Sequence, residues 1–282
     1  LTVGEDFDWS GEARSRSDVR VPGARRALAG ALFATGKPVV VVVMAGRPLV
    51  LSELADKAGA ILLGWYGGNE GGTALADVLL GDANPAGRLP ATFPRATGQV
   101  PLTYDMRPSG RPANSDIKID SNRYQDIAET PLYAFGHGLS YSSFTYGAMT
   151  IDRPEIAGDG SFTVNVPITN NSARAGDEVV QLYVRDPVAS VSRPVKQLRG
   201  FSRVNIKPGE TRTVSFTLNA SQFALYDAQG KWTVEPGTIE IMAGAASDDI
   251  RQRGSVRITS TGTSPKTPAA IATSVSVTGD GK

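Results

Sequence analysis

The sequence predicts a mainly parallel α/β domain followed by an all-β antiparallel sandwich. Three observations support this fold class. Helix and strand patterns alternate over about the first hundred residues, and this order favours a parallel sheet with helices packed against it. From about residue 144 onward, short segments alternate apolar and polar residues, as strands with one buried face do. The length of 282 residues fits two ordinary domains.

The α/β domain is assigned to residues 1–103. PGARRALAGALFATGKP predicts a helix that starts at Pro22 and stops at Gly36. The run Val39–Val43 is apolar on both faces, which is typical of a buried parallel strand. LSELADKAGA predicts a short helix capped by Ser52, AILLGWYGG predicts a second buried strand, and NEGGTALADVLLGD predicts a second clear helix.

Regular periodicity fails from Asn84 to about Tyr141, where Pro, Gly, Asn and Ser are frequent. Long connections without regular structure are usually functional loops or flexible linkers. We therefore assign residues 104–143 to an irregular linker that could form part of an active-site rim.

Residues 144–260 contain several short strand patterns separated by turn sequences such as KPGE, AQGK and EPG. This spacing indicates an antiparallel sandwich of the fibronectin or immunoglobulin kind. The tail, residues 261–282, is polar and rich in Thr and Ser, so we expect it to be poorly ordered. The predicted strands are SFTVNVPITN, DEVVQLYVRD, QLRGFSRVNI, TRTVSFTLN, KWTVEPG and TIEIMAG.

Composition excludes several classes of function. Lys and Arg number 29 against 28 Asp and Glu, without a basic run, so no nucleic-acid partner is expected. The longest strongly apolar run, Pro38–Gly46, is far shorter than the roughly 20 residues that span a bilayer, so no membrane insertion is expected. The chain has no cysteine, and its single histidine is His137. Any acid–base chemistry would therefore depend on carboxylates.

The stretch DWSGEARSRSD places a carboxylate, Glu12, in a glycine-flanked run close to the start of the chain. In open parallel sheets, ligands bind at the carboxyl ends of the strands, and Glu5–Glu12 and Trp65–Glu70 are expected at such ends. From the residues alone, Glu12 is either a solvated loop acid or a proton donor. The opening LTVGEDF is typical of the end of a buried strand, so we expect the chain to be a piece of a longer or processed protein.

Four motifs occur in a fixed order: VGEDFDWSGEARSRSD, ATGKPVVVVVMAGRPL, GWYGGNEGGTALADVLLGDANPAGRLPATFP and TPLYAFGHGLSYSSFTY. In this order they resemble the C-terminal half of a glycoside hydrolase family 3 enzyme, especially the bacterial periplasmic β-glucosidases. RPVKQLRGFSRV and IKPGE resemble the fibronectin type III-like domain of that family. The resemblance extends from the first residue to about residue 258.

The resemblance implies a division of labour between domains. An N-terminal TIM-like barrel supplies a nucleophilic Asp, and the α/β-sandwich domain supplies the general acid/base Glu. Glu12, in the SGEA segment, matches that acid/base, whereas no segment of this chain matches the nucleophile. The implied reaction is retaining hydrolysis of terminal β-D-glucosyl units from β-linked glucosides or oligosaccharides, without a metal or organic cofactor, in the periplasm or outside the cell. The alternatives are a β-xylosidase of the same family and a catalytically incomplete binding or structural fragment.

Five further residues are candidates for substrate binding. Trp9 could stack on a sugar ring, and Arg16 could bind sugar or orient the loop. Glu70 stands at a helix start, where capping is the alternative to ligand binding. Arg123 and Asp126 lie in the irregular segment and could reach an active-site rim.

Three neighbouring residues leave alternatives open. Glu5 also follows a strand end and competes with Glu12, although a structural hydrogen bond is the favoured role for it. Arg14 and Asp18, like Arg16, could belong to a surface ion-pair cluster instead of a binding site. Trp65 and Tyr66 are interpreted as packing residues at a strand end, with a sugar platform as the alternative.

Overall fold

A computed structural model describes residues 1–111, 123–264, 267–268 and 271–279. The chain divides into two compact units, and the segment predicted as one linker, 104–143, is split between them. The first unit comprises Leu1–Ala83, Ala91–Thr103 and Arg123–Ala134, and the second comprises Asn84–Pro90, Tyr104–Asn122 and Phe135–Lys282.

The first unit is built on a three-stranded parallel sheet, as the sequence predicts. The strand order is β1-β2-β3, with Gly4 opposite Met44 and Val43 opposite Leu63. Its elements are β1 Thr2–Gly4, α1 Gly23–Phe33, β2 Val40–Met44, α2 Ser52–Ala55, β3 Ala60–Leu63 and α3 Gly71–Leu80.

Local sequence explains where these elements begin and end. Pro22 stands immediately before α1, and Gly81 ends α3 with a left-handed φ of 90°. The prediction that Ser52 caps α2 is wrong. The cap position is Leu51, and the Ser52 hydroxyl instead donates a hydrogen bond of 2.9 Å to the carbonyl of Arg95. Ser52 lies one position too late to cap, because it is already the first helical residue.

The close approach of β1 and β2 requires a glycine at their carboxyl ends. A Cβ atom placed on Gly4 would lie 1.7 Å from the carbonyl oxygen of Met44, and φ at Gly4 is 155°. No other residue could occupy this position without separating the two strands.

The irregular segments of the first unit are held by one buried carboxamide. Gln99, in the one-turn 3₁₀ helix Thr97–Gln99, is 4% exposed. Its oxygen accepts a hydrogen bond of 2.6 Å from the backbone N–H of Arg95, and its nitrogen donates one of 2.9 Å to the carbonyl of Ala128. Backbone polar groups that have no partner in regular structure are thereby satisfied by a side chain.

The second unit is an all-β sandwich, as predicted. One five-stranded sheet has the order β16-β10-β7-β4, with β5 paired to β7, and the other has the order β6-β14-β13-β8-β9. A small third sheet has the order β11-β12-β15. The strands are β4 Phe144–Tyr146, β5 Thr150–Ile151, β6 Glu155–Ile156, β7 Ser161–Asn170, β8 Gly176–Arg185, β9 Gln197–Ile206, β10 Thr211–Asn219, β11 Leu225–Tyr226, β12 Trp232–Val234, β13 Gly237–Gly244, β14 Ile250–Ile258, β15 Gly262–Thr263 and β16 Ser274–Gly279.

The hydrophobic core of the second unit follows from strict alternation along the strands. In β7 every second residue is buried, and the same period continues in β10. Side chains from both large sheets form one buried cluster, which includes Val164, Val166, Ile168, Leu182, Phe216, Leu218, Ile241 and Val256. Among the described helices of the whole chain, none is long and apolar enough to cross a membrane.

Seven of the described strands of the second unit were not predicted, and β14 and β16 are the two among them that are longer than three residues. β14 was missed because Gln252 and Gly254 occupy its inward-facing positions, which weakens the apolar alternation. β16 lies in the tail that was expected to be poorly ordered, yet it pairs with β10 from Arg212↔Gly279 to Thr217↔Ser274. All six of its residues are exposed, so backbone pairing at a sheet edge, and not burial, accounts for its order.

Candidate active-site turn

The carboxyl ends of β1, β2 and β3 bring together residues that are far apart in the sequence. Because the three strands are parallel, the segments that follow them emerge at the same edge of the sheet. A groove with a volume of about 490 Å³ lies there, lined by Ser10, Gly11, Arg14, Ser15, Gly46, Arg47 and Tyr66. The predicted site region therefore contains a concave surface, and Ser10 and Gly11 of the SGEA segment belong to its lining.

Glu12 lies at the tip of a tight turn beside this groove. The backbone N–H of Arg14 donates a hydrogen bond of 3.3 Å to the carbonyl of Gly11, which closes the turn around Glu12 and Ala13. The Glu12 side chain is exposed, and its carboxylate makes no hydrogen bond or ion pair with any residue that the structure describes. Its oxygens are therefore available to a ligand.

The turn contains an uncommon backbone conformation. Ala13 has a φ of 56°, in the left-handed region, which costs a non-glycine residue about 1–2 kcal/mol. Such a conformation persists where the surroundings determine it, and it is frequent at functional sites.

Glu5, the competing carboxylate, is completely withdrawn from solvent, with 0% of its side chain exposed. One oxygen accepts a hydrogen bond of 2.7 Å from Arg16, and the other accepts 3.1 Å from Nε of Arg47 and 3.2 Å from the hydroxyl of Ser10. Both oxygens are satisfied by protein groups, and two guanidinium ions balance the charge. These contacts agree with the structural role favoured for Glu5.

Arg47 connects Glu5 to both ends of the Glu12 turn. While its Nε binds Glu5, its Nη2 donates to the backbone carbonyl of Trp9 and, at 2.8 Å, to that of Arg14. Sequence analysis did not select Arg47, although it lies three residues after the end of β2. Its place after a buried parallel strand is the signal that could have found it.

Trp9 and Arg16 contact each other. The guanidinium carbon of Arg16 lies 4.7 Å from the centroid of the Trp9 ring, a cation–π geometry. Arg16 also binds Glu5, and it donates a hydrogen bond of 3.3 Å to the carbonyl of Arg20. Arg16 thus makes three internal contacts, which favours loop orientation over sugar binding.

Asp18 forms a surface ion pair with Arg20, which was not part of the expected cluster of Arg14, Arg16 and Asp18, whereas Arg16 pairs with the buried Glu5. The closest atoms of Asp18 and Arg20 are 2.7 Å apart, and about half of each side chain is exposed. Hydrogen bonds from the Arg20 side chain hold the pKa of Asp18 well below its usual range. Asp18 is therefore charged and paired at neutral pH.

Gly46 allows two groove residues to meet. A Cβ atom at this position would lie 2.7 Å from Oγ of Ser10 and 2.8 Å from Cε2 of Tyr66. Trp65 packs edge-on against Phe93, with 6.1 Å between ring centroids, as expected of a packing residue. Tyr66 differs from the prediction, because it is 55% exposed and lines the groove.

Glu70, Arg123 and Asp126, like Glu12, Trp9 and Arg16, are not among the residues that line the groove. Glu70 occupies the cap position of α3, but its side chain makes no capping hydrogen bond and is exposed. The predicted capping role is therefore limited to its backbone carbonyl, which accepts a hydrogen bond of 3.0 Å from the backbone N–H of Ala74. Arg123 and Asp126 are exposed in the first unit and bind no described residue.

The described residues contain no group of three His, Asp or Glu side chains that could hold a metal ion. The chemistry that the arrangement itself offers is that of a carboxylate on a rigid turn next to a polar groove with one aromatic wall. Such a group can donate or accept a proton at a ligand bound in or above the groove.

The order of an α/β unit followed by a fibronectin-like sandwich agrees with the family models that match the chain, and these place it among the glycoside hydrolases. Residues 1–141 match the Glycosyl hydrolase family 3 C-terminal domain, and residues 178–247 match the Fibronectin type III-like domain. The chain belongs to glycosyl hydrolase family 3.

Similar proteins include a periplasmic β-glucosidase of Salmonella typhimurium, 45% identical over 89% of this chain and 33% of the relative. A β-xylosidase of Formosa agariphila is 45% identical over 89% of this chain and 34% of the relative. The crystal structure of a β-glucosidase from Listeria innocua in complex with glucose superimposes with a TM-score of 0.88 at 39% identity, covering 92% of this chain and 36% of that one. The chain spans about a third of the length of the relatives it matches.

Proposed function

We propose that this chain supplies the general acid/base of a retaining exo-β-glycosidase, with Glu12 as that residue. The observation that carries the proposal is the unpaired, exposed carboxylate of Glu12 on a braced turn at the carboxyl edge of the sheet. The substrate is a β-linked glucoside or oligosaccharide, from which a terminal non-reducing β-D-glucosyl unit is removed. A TIM-like barrel outside this chain provides the nucleophilic Asp.

The proposed chemistry needs two carboxyl groups about 5–5.5 Å apart on either side of the glycosidic bond. In the first step Glu12 gives its proton to the leaving oxygen while the nucleophile attacks the anomeric carbon. In the second step the Glu12 carboxylate takes a proton from water, which releases the sugar with retained configuration. The reaction requires the acid/base carboxyl to be protonated when the substrate binds.

The location proposed for the enzyme is the periplasm or the exterior of the cell. The support for it is the periplasmic β-glucosidase of Salmonella typhimurium, which is 45% identical over most of this chain. Detection of activity in the periplasmic fraction of the source cells tests this part of the proposal.

The function is tested in a chimera that joins the N-terminal two-thirds of the Salmonella relative to this chain. We expect the chimera to hydrolyse aryl β-glucosides. Glu12→Ala is expected to lower kcat/KM by about 100-fold or more for substrates with poor leaving groups. Added azide is expected to restore turnover of activated substrates and to yield the β-glucosyl azide.

Matched controls identify the residue. Glu53→Ala removes an acid that is 65% exposed and paired with Arg26 on the surface, and it should leave the rates unchanged. If Glu12→Ala is as active as the parent while Glu5→Ala or Glu70→Ala is inactive, the wrong carboxylate has been chosen. If the chimera folds and turns over nothing, the chain is a binding or structural module.

A β-xylosidase is the second candidate, and the support for it is the Formosa agariphila relative, which is equally similar. The ratio of kcat/KM for aryl β-xylosides and β-glucosides decides between the two sugars in the native full-length enzyme. A ratio above one overturns the glucoside assignment and leaves the role of Glu12 intact.

A further inference from the structure

We propose that Arg47 is the positioning residue of the proton donor: it fixes the Glu12 turn to the sheet and acts on catalysis only through Glu12. The inference rests on the proposed function and adds a residue to it. Arg47 does not touch the Glu12 carboxylate. It lines the groove, but its guanidinium is bound to the Glu5 carboxylate and to the carbonyls of Trp9 and Arg14.

The contacts of Arg47 define the position of the turn. Its Nη2 binds the carbonyls of Trp9 and Arg14, which lie on either side of the segment that carries Glu12. The guanidinium is planar and its donors have a fixed geometry, so both carbonyls are held relative to one another. Within the turn, the backbone N–H of Arg14 donates a hydrogen bond of 3.3 Å to the carbonyl of Gly11. Ser10 and Arg16, which flank the turn, bind Glu5, but neither contacts the carbonyls that Arg47 holds.

Glu5 holds the guanidinium of Arg47 in place. Its buried carboxylate follows β1 and binds Nε of Arg47, which follows β2. Glu5 directly follows β1, and its backbone N–H donates a hydrogen bond of 3.1 Å to the carbonyl of Met44 at the end of β2, so its carboxylate is anchored to both strands. The Glu12 turn is thereby attached to the most rigid element of the unit, which is how precisely oriented functional groups are supported in proteins.

The attachment explains how a strained turn keeps a long, exposed side chain in place. Ala13 is left-handed, a conformation that persists where surrounding contacts determine it. If the carbonyls of Trp9 and Arg14 are released, the turn can relax and the Glu12 carboxyl can shift by an ångström or more. A displacement of that size costs about 100-fold in rate when it separates a catalytic group from its reacting atom.

A double-mutant cycle in the active chimera tests the proposal. Arg47→Lys keeps a positive charge near Glu5, but its single ammonium group cannot bind one carboxylate and two carbonyls in the same geometry. We expect kcat/KM to fall about 10- to 100-fold for alkyl β-glucosides and to change little for a dinitrophenyl β-glucoside, which needs no acid. In the Glu12→Ala background, Arg47→Lys should cause no further loss.

Two additional variants keep the test decisive. Arg26→Lys changes a guanidinium on α1 that pairs with Glu53 at 3.1 Å, and it should be neutral in both backgrounds. If Arg47→Lys does not fold, Glu5→Gln is used instead, since it retains the shape of the anchor and weakens its bond to Arg47. The same dependence on the leaving group is expected, with a smaller loss.

Three outcomes would overturn the inference. The first is an equal loss from Arg47→Lys with and without Glu12, which would mean that Arg47 acts on substrate or folding directly. The second is a loss that does not depend on the leaving group. The third is full activity of Arg47→Lys on alkyl glucosides. If instead Glu12→Ala itself is fully active, Glu12 is not the acid/base, and both the proposed function and this inference are wrong.

Discussion

Arg88 and Glu178 form an ion pair of 3.2 Å in the second unit, although they are 90 residues apart in the sequence. Only 8% and 3% of their side chains are exposed. The other oxygen of Glu178 accepts a hydrogen bond of 3.1 Å from the hydroxyl of Tyr146. Burial, followed by the negative charge of Glu178, raises the pKa of Tyr146 far above its usual range, so the phenol is a hydrogen-bond donor to Glu178 at neutral pH.

Neutralising Glu178 should therefore destabilise the chain strongly. Glu178→Gln leaves the buried Arg88 guanidinium without a counter-charge, and we expect a loss of about 3 kcal/mol or more in the free energy of unfolding. Urea unfolding followed by fluorescence measures it. Glu240→Gln is the control, since Glu240 and Arg185 are 3.7 Å apart and about 40% exposed, and it should cost less than about 1 kcal/mol. Equal effects would show that burial does not decide the contribution of these pairs.

The single histidine predicts how stability depends on pH. Burial lowers the pKa of His137 below its ordinary value of 6.5, and Arg88 acts in the same direction, against the opposing charges of Asp248 and Asp249. Below pH 6.5 the unfolded chain therefore binds a proton that the folded chain still rejects.

Above pH 6.5, His137 is neutral in both states and contributes no pH dependence. We expect the free energy of unfolding to decrease as the pH falls from 6.5 toward the lowered pKa of the folded state, and this part of the curve to flatten in His137→Gln. Thermal unfolding of both proteins between about pH 7.5 and pH 5 provides the comparison. Parallel curves for the two proteins would rule out His137 as the cause.

A methyl group at Gly46 should damage the groove. In Gly46→Ala the new Cβ would lie within 3 Å of Ser10 and Tyr66, and we expect a loss of about 1–3 kcal/mol in stability together with reduced turnover. Gly30→Ala provides the control, because Gly30 lies in α1 with no atom within 4 Å of its added Cβ. That substitution should stabilise the chain by about 0.5–1 kcal/mol. Stabilisation of both variants would contradict the close packing at Gly46.

The tail strand should contribute to the sandwich. A chain that ends at Ser264 lacks β16, so the backbone groups of β10 from Arg212 to Thr217 lose their outer partners. We expect a lower melting temperature, faster hydrogen exchange in β10, and association of chains through the new sheet edge. Unchanged exchange in β10 and a monomeric truncated chain would mean that β16 does not protect it.

Much of the fold could be predicted because it depends on short-range pattern. β9 and β10 coincide with the predicted segments QLRGFSRVNI and TRTVSFTLN, since every second residue faces the core. Pattern failed for β14, whose inner face carries Gln252 and Gly254, and for β16, whose order depends on pairing with β10. The partner of an exposed edge strand is not encoded in the strand's own periodicity.

The candidate site could be predicted only in part. The position of Glu12 after a strand was readable from the sequence, as was its place in the SGEA motif. The contacts of Arg47 could not be predicted, because Arg47 is 42 residues from Glu5. Two of its acceptors are backbone carbonyls, which any residue type provides. Long-range contacts to backbone atoms leave no mark in the composition of a segment.

The pairing of Gly4 with Met44 has a consequence for how the turn can fail. Glu5 and Arg47 are joined only while β1 and β2 keep this register, and a slip of one residue moves a strand by about 3.3 Å and reverses its faces. A substitution within the sheet, such as Gly4→Ala, could therefore abolish proton donation by Glu12 without contacting it. Loss of activity in this family need not point to a residue of the groove, since misalignment of two strands would produce the same defect.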